Sequence, residues 1–221
     1  MSAAGGLLLA GGGHSHALLL KRWAMRPARR PQQSITLVNR SSTALYSGMV
    51  PSLIAGMAQR HDLAIDLRQL CERAGVTFMA AEIQGLDAGQ HLLHLEGRPS
   101  LQYGWLSLDV GAVSRASASG IPIKPLEPAL AFLNQQSPND PEPFRVIGAG
   151  AAGVEVVLAL RRRWPKRPLQ LQMRPGQLSD ALKRVLQEAR VTLIQNEAPW
   201  VGPSLLCTGS HGPAWLANSG L

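Results

Sequence analysis

Two glycine-rich turns carry the residue types and spacing on which chemistry can be built. The first is Leu7-Leu8-Leu9-Ala10-Gly11-Gly12-Gly13-His14-Ser15-His16, and the second is Arg145-Val146-Ile147-Gly148-Ala149-Gly150-Ala151-Ala152-Gly153-Val154-Glu155. Each follows a short apolar run and opens a helix-like segment, the setting a dinucleotide-binding turn requires. A pyrophosphate needs backbone N–H donors close by and no side chain in the way. The first glycine of such a turn makes the sharp bend, the second lets the backbone approach the phosphates, and the third lets the helix pack on the strand. The helix N-terminus then offers the anion about half a positive charge. The second turn has all three glycines, Gly148, Gly150 and Gly153; the first has Gly11 and Gly13, with His16 in the third place. Two such turns in one chain point to two nucleotide sites. The simplest chemistry for that pair is electron transfer between a nicotinamide and a flavin.

Neighbouring residues leave alternatives open. The acid expected on the ribose at the end of the next strand is replaced by Asn39-Arg40 in the first unit and by Met173-Arg174 in the second. NADH and NADPH therefore both remain open, although Arg174 suits a 2′-phosphate. Glu155 is either a nicotinamide-side group or a first-turn acid held by the helix dipole. Asp109 is either a strand-end turn former or a cofactor contact. His14 and His16 form an H-x-H without matched further ligands, so phosphate contact or capping explains them better than a metal.

The elements that must position these turns are legible as periodicity. Leu7–Ala10 reads as a buried parallel strand and His14 to about Met25 as a helix stopped by Pro27 and Pro31. Ser34–Val38 then completes a βαβ unit. Asp62 to Gly75 has helical spacing, with Leu63, Leu67, Leu70 and Ala74 on one face. Val76–Ala80 and Trp105–Val110 read as strands, and Glu82–Glu96 as a hairpin turning at Asp87-Ala88-Gly89. Ser114–Pro125 reads as a connector and Leu126–Asn134 as a short helix. A second βαβ follows: strand Phe144–Ile147, helix Ala152–Arg163, strand Leu169–Met173. Then come a helix at Ser179–Arg190, strands at Val191–Gln195 and Ser204–Cys207, and a last helical turn near Trp215. The expected fold class is α/β, with two Rossmann-like three-layer units. The divisions fall at 1–116, a connector at 117–143, and 144–221.

Bulk properties narrow the function classes. The chain has 221 residues, 45% hydrophobic, 16% charged and 5% aromatic. A soluble domain of that size buries about 70% of its unfolded surface and needs no disulfide or metal staple. The net charge of +8 favours anionic partners. The cations cluster, however, at Lys21, Arg22, Arg26, Arg29 and Arg30, at and beyond the end of the first predicted helix, and likewise at Arg161, Arg162, Arg163, Lys166 and Arg167 after the second glycine turn. Solvated cations there complement the helix dipole. No zinc-finger, RRM or aromatic-interleaved basic pattern is present, so nucleic acid is not an expected partner. Cys71 and Cys207 stand alone, without CxxC spacing, which fits a reducing, cytoplasmic setting. No apolar run approaches the roughly 18 residues of a membrane span.

The order of motifs resembles the two-dinucleotide-binding-domain flavoproteins of the pyridine nucleotide-disulfide oxidoreductase superfamily. Within it, the chain is most similar to the NADH dehydrogenase-like flavoproteins found alone or fused ahead of selenide, water dikinase. The pieces that carry the resemblance are the two glycine turns, Tyr46-Ser47-Gly48-Met49-Val50-Pro51, Leu106-Ser107-Leu108-Asp109-Val110-Gly111, Ile121-Pro122-Ile123-Lys124-Pro125, Cys207-Thr208-Gly209 and Pro213-Ala214-Trp215-Leu216. They span nearly the whole chain. The resemblance implies that Gly11, Gly13, His14 and Ser15 hold the pyrophosphate of FAD, with Tyr46 near the flavin. It implies that Gly148, Gly150, Ala151 and Gly153 hold NAD(P)H, with Glu155 toward the nicotinamide. Asp109, Gly111, Thr208 and Gly209 match the two crossings between domains, and Lys124 matches a junction residue near both cofactors.

The implied reaction is hydride transfer from a nicotinamide nucleotide to flavin and on to an acceptor of unknown identity. A quinone or another small molecule is favoured because no redox cysteine pair is present. A homodimer and peripheral contact with the inner face of a membrane are open as assemblies. Relatives continue past the equivalent of Leu221 with a Gly-Asp motif that contacts the flavin, so the FAD-type unit is expected to be incomplete. The rival expectation is a non-catalytic nucleotide-binding or accessory module, linked to selenium metabolism by the resemblance alone.

Overall fold

A strand buried on both faces is mostly apolar. Leu7–Ala10 is apolar throughout and Phe144–Ile147 is apolar except for Arg145, and each is an interior strand of a parallel sheet in the computed structural model. The structure describes residues 5–114, 120–195 and 200–221. They form two compact units. One holds the chain up to Tyr46, Leu63–Gly111 and Gly212–Leu221; the other holds Ser47–Asp62 and Ala112–His211.

In the first unit, β1 (Leu7–Ala10) leads through α1 (His14–Met25) to β2 (Ile35–Asn39). Helix α2 (Leu67–Ala74), β3 (Thr77–Ala80) and β4 (Trp105–Leu108) follow. The sheet order is β3-β2-β1-β4, all parallel, with Leu9 level with Leu37 and Ser107. Helix α1 buries His16, Ala17, Leu20 and Trp23 in one stripe, and α2 buries Leu67, Cys71 and Ala74. With Leu9 and Leu37 these form one core. A fully buried leucine contributes about 2 kcal/mol, so the stripe spacing alone dictates which faces meet. The opposite core joins Leu8, Ala10 and Val38 to a three-stranded antiparallel sheet, Ile83–Asp87, Leu92–Leu95 and Arg98–Gln102. Its first two strands are the expected hairpin. The third escapes sequence reading because its pattern, Arg-Pro-Ser-Leu-Gln, is mostly exposed.

One helix is shorter than its periodicity predicts. The segment from Asp62 begins instead as a 3-10 turn ending at Leu63 and a strand, Ala64–Asp66, antiparallel to Thr43–Leu45. Asp66 stops the strand and starts α2, its carboxylate accepting the Gln69 N–H at 2.9 Å.

The second unit runs β5 (Ile121–Pro122), α3 (Leu126–Asn134), β6 (Phe144–Ile147), α4 (Ala151–Arg163), β7 (Leu169–Gln172), α5 (Asp180–Glu188), β8 (Val191–Ile194) and β9 (Ser204–Leu206). Its sheet is also fully parallel, in the order β5-β9-β6-β7-β8. Val146, Leu171 and Leu205 pack with Val157 and Leu160 of α4, Leu133 of α3 and Trp164. The expected connector thus supplies β5 and α3 to this unit; its residues 115–119 lie outside the described ones. Ser47–Asp62 belongs here because Ile54, on the short helix Val50–Ile54, is fully buried in the same core. Trp215, late in the chain, packs instead into the first unit, against the core that includes Leu86 and Leu93.

The basic cluster at and beyond the end of α4 departs from the solvated reading. Arg167 is buried, and Arg161 is spent on the carbonyls of Trp164, Pro165, Arg167, Ala189 and Arg190. A guanidinium has five donors and no acceptor, so it can close several unpaired carbonyls at once. Among the described residues no helix is long and apolar enough to cross a membrane.

Candidate nucleotide-binding turns

Both sheets reverse direction beside their turn. From β1 the chain moves outward to β2 and β3 and returns on the other side with β4; from β6 it moves to β7 and β8 and returns with β9. Ligands of parallel α/β sheets bind at the carboxyl ends of the strands at such a switch point.

The two turns share one backbone. Gly11 N–H donates to Val38 and Gly148 N–H to Gln172, at 2.8 and 3.0 Å. Asp109 N–H donates to Ala10 and Cys207 N–H to Ile147, both at 2.8 Å. Gly11 and Gly148 have φ of +91° and +104°, where a side chain is strained. Gly13 and Gly150 are the helix N-caps, with φ/ψ of −69°/179° and −70°/178°. Asp109 and Cys207 are therefore equivalent positions.

The second turn meets each steric demand of a pyrophosphate cradle. A Cβ on Gly148 would stand 2.7 Å from the Cys207 carbonyl oxygen, and one on Gly153 would overlap the Gly148 carbonyl oxygen. A Cβ on Gly150 would meet nothing within 4 Å. No side chain caps α4, and its first-turn N–H groups have no partner within the helix. The space before Gly150 is thus open and lined by donors. Gly150, Ala151, Glu155, Thr208 and Gly209 are all exposed. Thr208 follows β9 directly beyond Cys207, its methyl 3.1 Å from a Gly148 Cβ position. Lys124, also exposed, follows β5 at the same sheet edge, where Ile123 N–H donates to Leu206. Arg174 is exposed just beyond β7.

The first turn has the same frame and a different occupant. A Cβ on Gly13 would overlap the Asp109 carboxylate, both oxygens and the carbon between them. One of those oxygens accepts the His16 N–H at 3.1 Å, capping the third residue of α1. In the folded chain Asp109 thus caps α1 from the end of β4. His16 replaces the third glycine without blocking the helix. Its ring is buried, Nδ1 lies 2.7 Å from the Gly11 carbonyl oxygen and Nε2 lies 2.8 Å from Ser107 Oγ. A carbonyl can only accept, so Nδ1 carries a proton and donates to Gly11. His14 is exposed and stacks on Tyr46, ring centroids 4.9 Å apart, so the structure brings these two predicted residues together. Ser15 is exposed beside them, and Gly111 lies two residues past Asp109 with φ of +73°.

Sequence reading passed over Asn39, which stands where a ribose-binding acid was sought. Its Oδ1 accepts the Gly12 N–H at 2.9 Å, fastening the turn to β2. It also passed over Arg145 on β6, whose guanidinium lies 3.9 Å from the Trp200 ring and donates to Gln170 at 2.9 Å. The alternation of Arg145 with apolar neighbours is the only signal that could have flagged it.

Cys71 is buried and Cys207 half-buried, and burial pushes both thiols from the ordinary 9.0 up to about 12. Thiolate is the reactive form, so an aromatic disulfide reagent at pH 8 should label native protein far more slowly than the guanidinium-unfolded chain. The linkage has a definite sign. The unfolded thiols lose their protons first as pH rises past 9.0, so their contribution to stability is intact below that pH and falls toward pH 12. The denaturation midpoint, followed upward from pH 8, should therefore drop, and Cys→Ser variants should reduce the drop.

The sequence matches no protein-family model and no curated protein. Solved structures do match. The NADH:rubredoxin oxidoreductase of Clostridium acetobutylicum is 16% identical with a TM-score of 0.73, and the match covers 98% of this chain and 61% of that one. The sulfide:quinone oxidoreductase of Aquifex aeolicus is 17% identical, TM-score 0.72, over 98% and 61%. The water-forming NADH oxidase of Lactobacillus brevis, bound to NADH, is 17% identical, TM-score 0.69, over 92% and 53%. The chain thus spans about half to three fifths of these oxidoreductases and shares their α/β fold, with two Rossmann-like units built on parallel sheets.

Proposed function

We propose that this chain is the nucleotide-binding part of a flavin-dependent NAD(P)H oxidoreductase, with the nicotinamide dinucleotide held at the second glycine turn. The open space before Gly150, bounded by a turn in which Gly148 and Gly153 admit no side chain, carries the proposal. Backbone N–H groups at Gly150, Ala151 and Gly153 would hold the pyrophosphate. Glu155 and Thr208 are both exposed, and Arg174 is exposed past β7, where a ribose or its 2′-phosphate would lie. The NADH-bound state of the Lactobacillus brevis oxidase supports this ligand class. When bound, the nicotinamide supplies a hydride and a flavin supplies its acceptor. The protein's own part in that half-reaction is to bind, orient and exclude water, since no protein acid or base is required. A quinone or other small molecule is the onward acceptor we favour, because Cys71 and Cys207 are both free and no CxxC pair is present. The flavin's turn has the right backbone, but Asp109 stands in the place its pyrophosphate would take. That observation favours the second reading, a nucleotide-binding module without flavin chemistry.

Titration of the purified chain with NADH, followed by nicotinamide fluorescence, tests the first reading. Gly150→Val should weaken binding more than about tenfold, because charged-acceptor hydrogen bonds are lost. It should cost about 1 kcal/mol of stability or less, since the change is confined to an open N-cap. Equal affinity of the two proteins would overturn the assignment.

A further inference from the structure

The two turns serve as controls for one another. Their backbones coincide in dihedral angles and in strand hydrogen bonds, and they differ in the residue that follows the returning strand: Asp109 in one, Cys207 in the other. Beside Gly150 the space is empty for 4 Å. Beside Gly13 it is filled by the Asp109 carboxylate. We propose that Asp109 is a built-in anion of the first turn, closing it to a dinucleotide pyrophosphate until the carboxylate is displaced, and so sets the affinity and selectivity of that turn. The inference rests on the reading of the first turn as a flavin-nucleotide site, and it is independent of the nicotinamide site.

Three observations carry it. The carboxylate is held in place, since Oδ2 accepts the His16 N–H at 3.1 Å and the Asp109 carbonyl accepts the Gly13 N–H at 3.1 Å. The donor it occupies lies in the first turn of α1, among the groups an anion would use. No ion pair among the described residues involves Asp109, and its carboxylate meets the α1 N-terminus. A pyrophosphate brought to Gly13 would meet both the volume and the like charge of this side chain. Asp109 must then swing away and give up its hydrogen bond to His16 before the phosphates can enter. At the second turn the equivalent Cys207 is short and uncharged, and Gly150 has nothing beside it.

Asp109→Ser keeps a short oxygen able to cap His16 and removes both the charge and the bulk. FAD is titrated into wild type and variant, following quenching of the isoalloxazine fluorescence, and NADH is titrated into the same preparations. The variant should bind FAD about tenfold more tightly or better, with NADH affinity unchanged. Equal or weaker FAD binding by the variant, including no binding by either protein, would overturn the proposal. Loss of NADH binding in both proteins would sink the nicotinamide assignment and leave the FAD comparison standing. If Asp109→Ser melts well below wild type, Asp109→Asn replaces it. That change keeps size and cap and removes only the charge, and absence of any gain in FAD affinity there would equally overturn the proposal.

Discussion

Gly153→Ala should unfold the second unit at a temperature about 5–10 °C below that of the wild-type chain. The added methyl would overlap the Gly148 carbonyl oxygen and stand 2.9 Å from its carbonyl carbon. Both are backbone atoms, so no side chain can rotate away. The turn is pinned in turn by Gly148 N–H on Gln172 at 3.0 Å and by Cys207 N–H on Ile147 at 2.8 Å. Relief must come from lifting α4, whose Val156, Val157 and Leu160 are almost wholly buried in the core. Overpacking of this kind costs about 1–3 kcal/mol, and each kcal/mol moves the midpoint of a chain this long by about 2–4 °C. Gly150→Val adds more atoms three residues away and should cost less, because its Cβ meets open space. Thermal unfolding followed by circular dichroism, beside NADH titration, separates the two roles. On the proposed nicotinamide reading, Gly153→Ala should move both readouts and Gly150→Val chiefly the binding one. A Gly153→Ala midpoint within about 2 °C of wild type would show that the helix yields freely and that the close approach does not constrain the turn.

Arg167→Ala should cost about 3–5 kcal/mol, the penalty typical of removing one member of a buried charged network. The side chain is fully buried, its guanidinium 5.0 Å from the Trp164 ring and 5.4 Å from that of Phe144. It donates to the carbonyls of Ser137 and Glu142 at 2.8 and 3.3 Å and to Asp140 at 3.5 Å. Burial lowers its pKa and the nearby Asp140 and Glu142 raise it again; arginine remains charged throughout the accessible pH range. Truncation leaves two carbonyls without their donor and opens a cavity between two aromatic rings. Arg167→Lys should restore only part of the loss, because an ammonium has neither the planar stack nor the forked donors. Guanidinium denaturation of the three proteins measures this directly. A cost for Arg167→Ala near 1 kcal/mol, as for an exposed cation, would return Arg167 to the solvated class in which its position beyond α4 first placed it.

Sequence periodicity was sufficient for the parallel cores. Leu7–Ala10, Leu126–Asn134 and Phe144–Ile147 have the bounds their apolar runs predict, and α1 ends at Met25, before the prolines that stop it. Short, mostly apolar runs and one-sided helical stripes report burial directly, because burial is what selects them. Asp62–Gly75 misled for the converse reason. Leu63, Leu67, Leu70 and Ala74 satisfy a helical stripe, yet pairing with Thr43–Leu45 claims the backbone of Ala64–Asp66 for a strand. Non-local hydrogen bonding overrides local spacing there.

The sequence by itself determined that the chain carries two glycine turns, each between an apolar strand and a helix, and that the second has room for a helix packed at Gly153. Glycine spacing encodes steric permission, and steric permission is local. Only the tertiary structure decided what occupies the space so permitted. Asp109 lies more than ninety residues from Gly13 in the chain, yet the β1–β4 pairing sets its carboxylate against that glycine, while the same pairing in the other sheet leaves Gly150 free. Likewise, the basic run beyond α4 reads as surface charge until the fold wraps the loop carrying Ser137 and Glu142 around Arg167. Occupancy and burial are set by contacts distant in sequence, and those exist only once the sheets have formed.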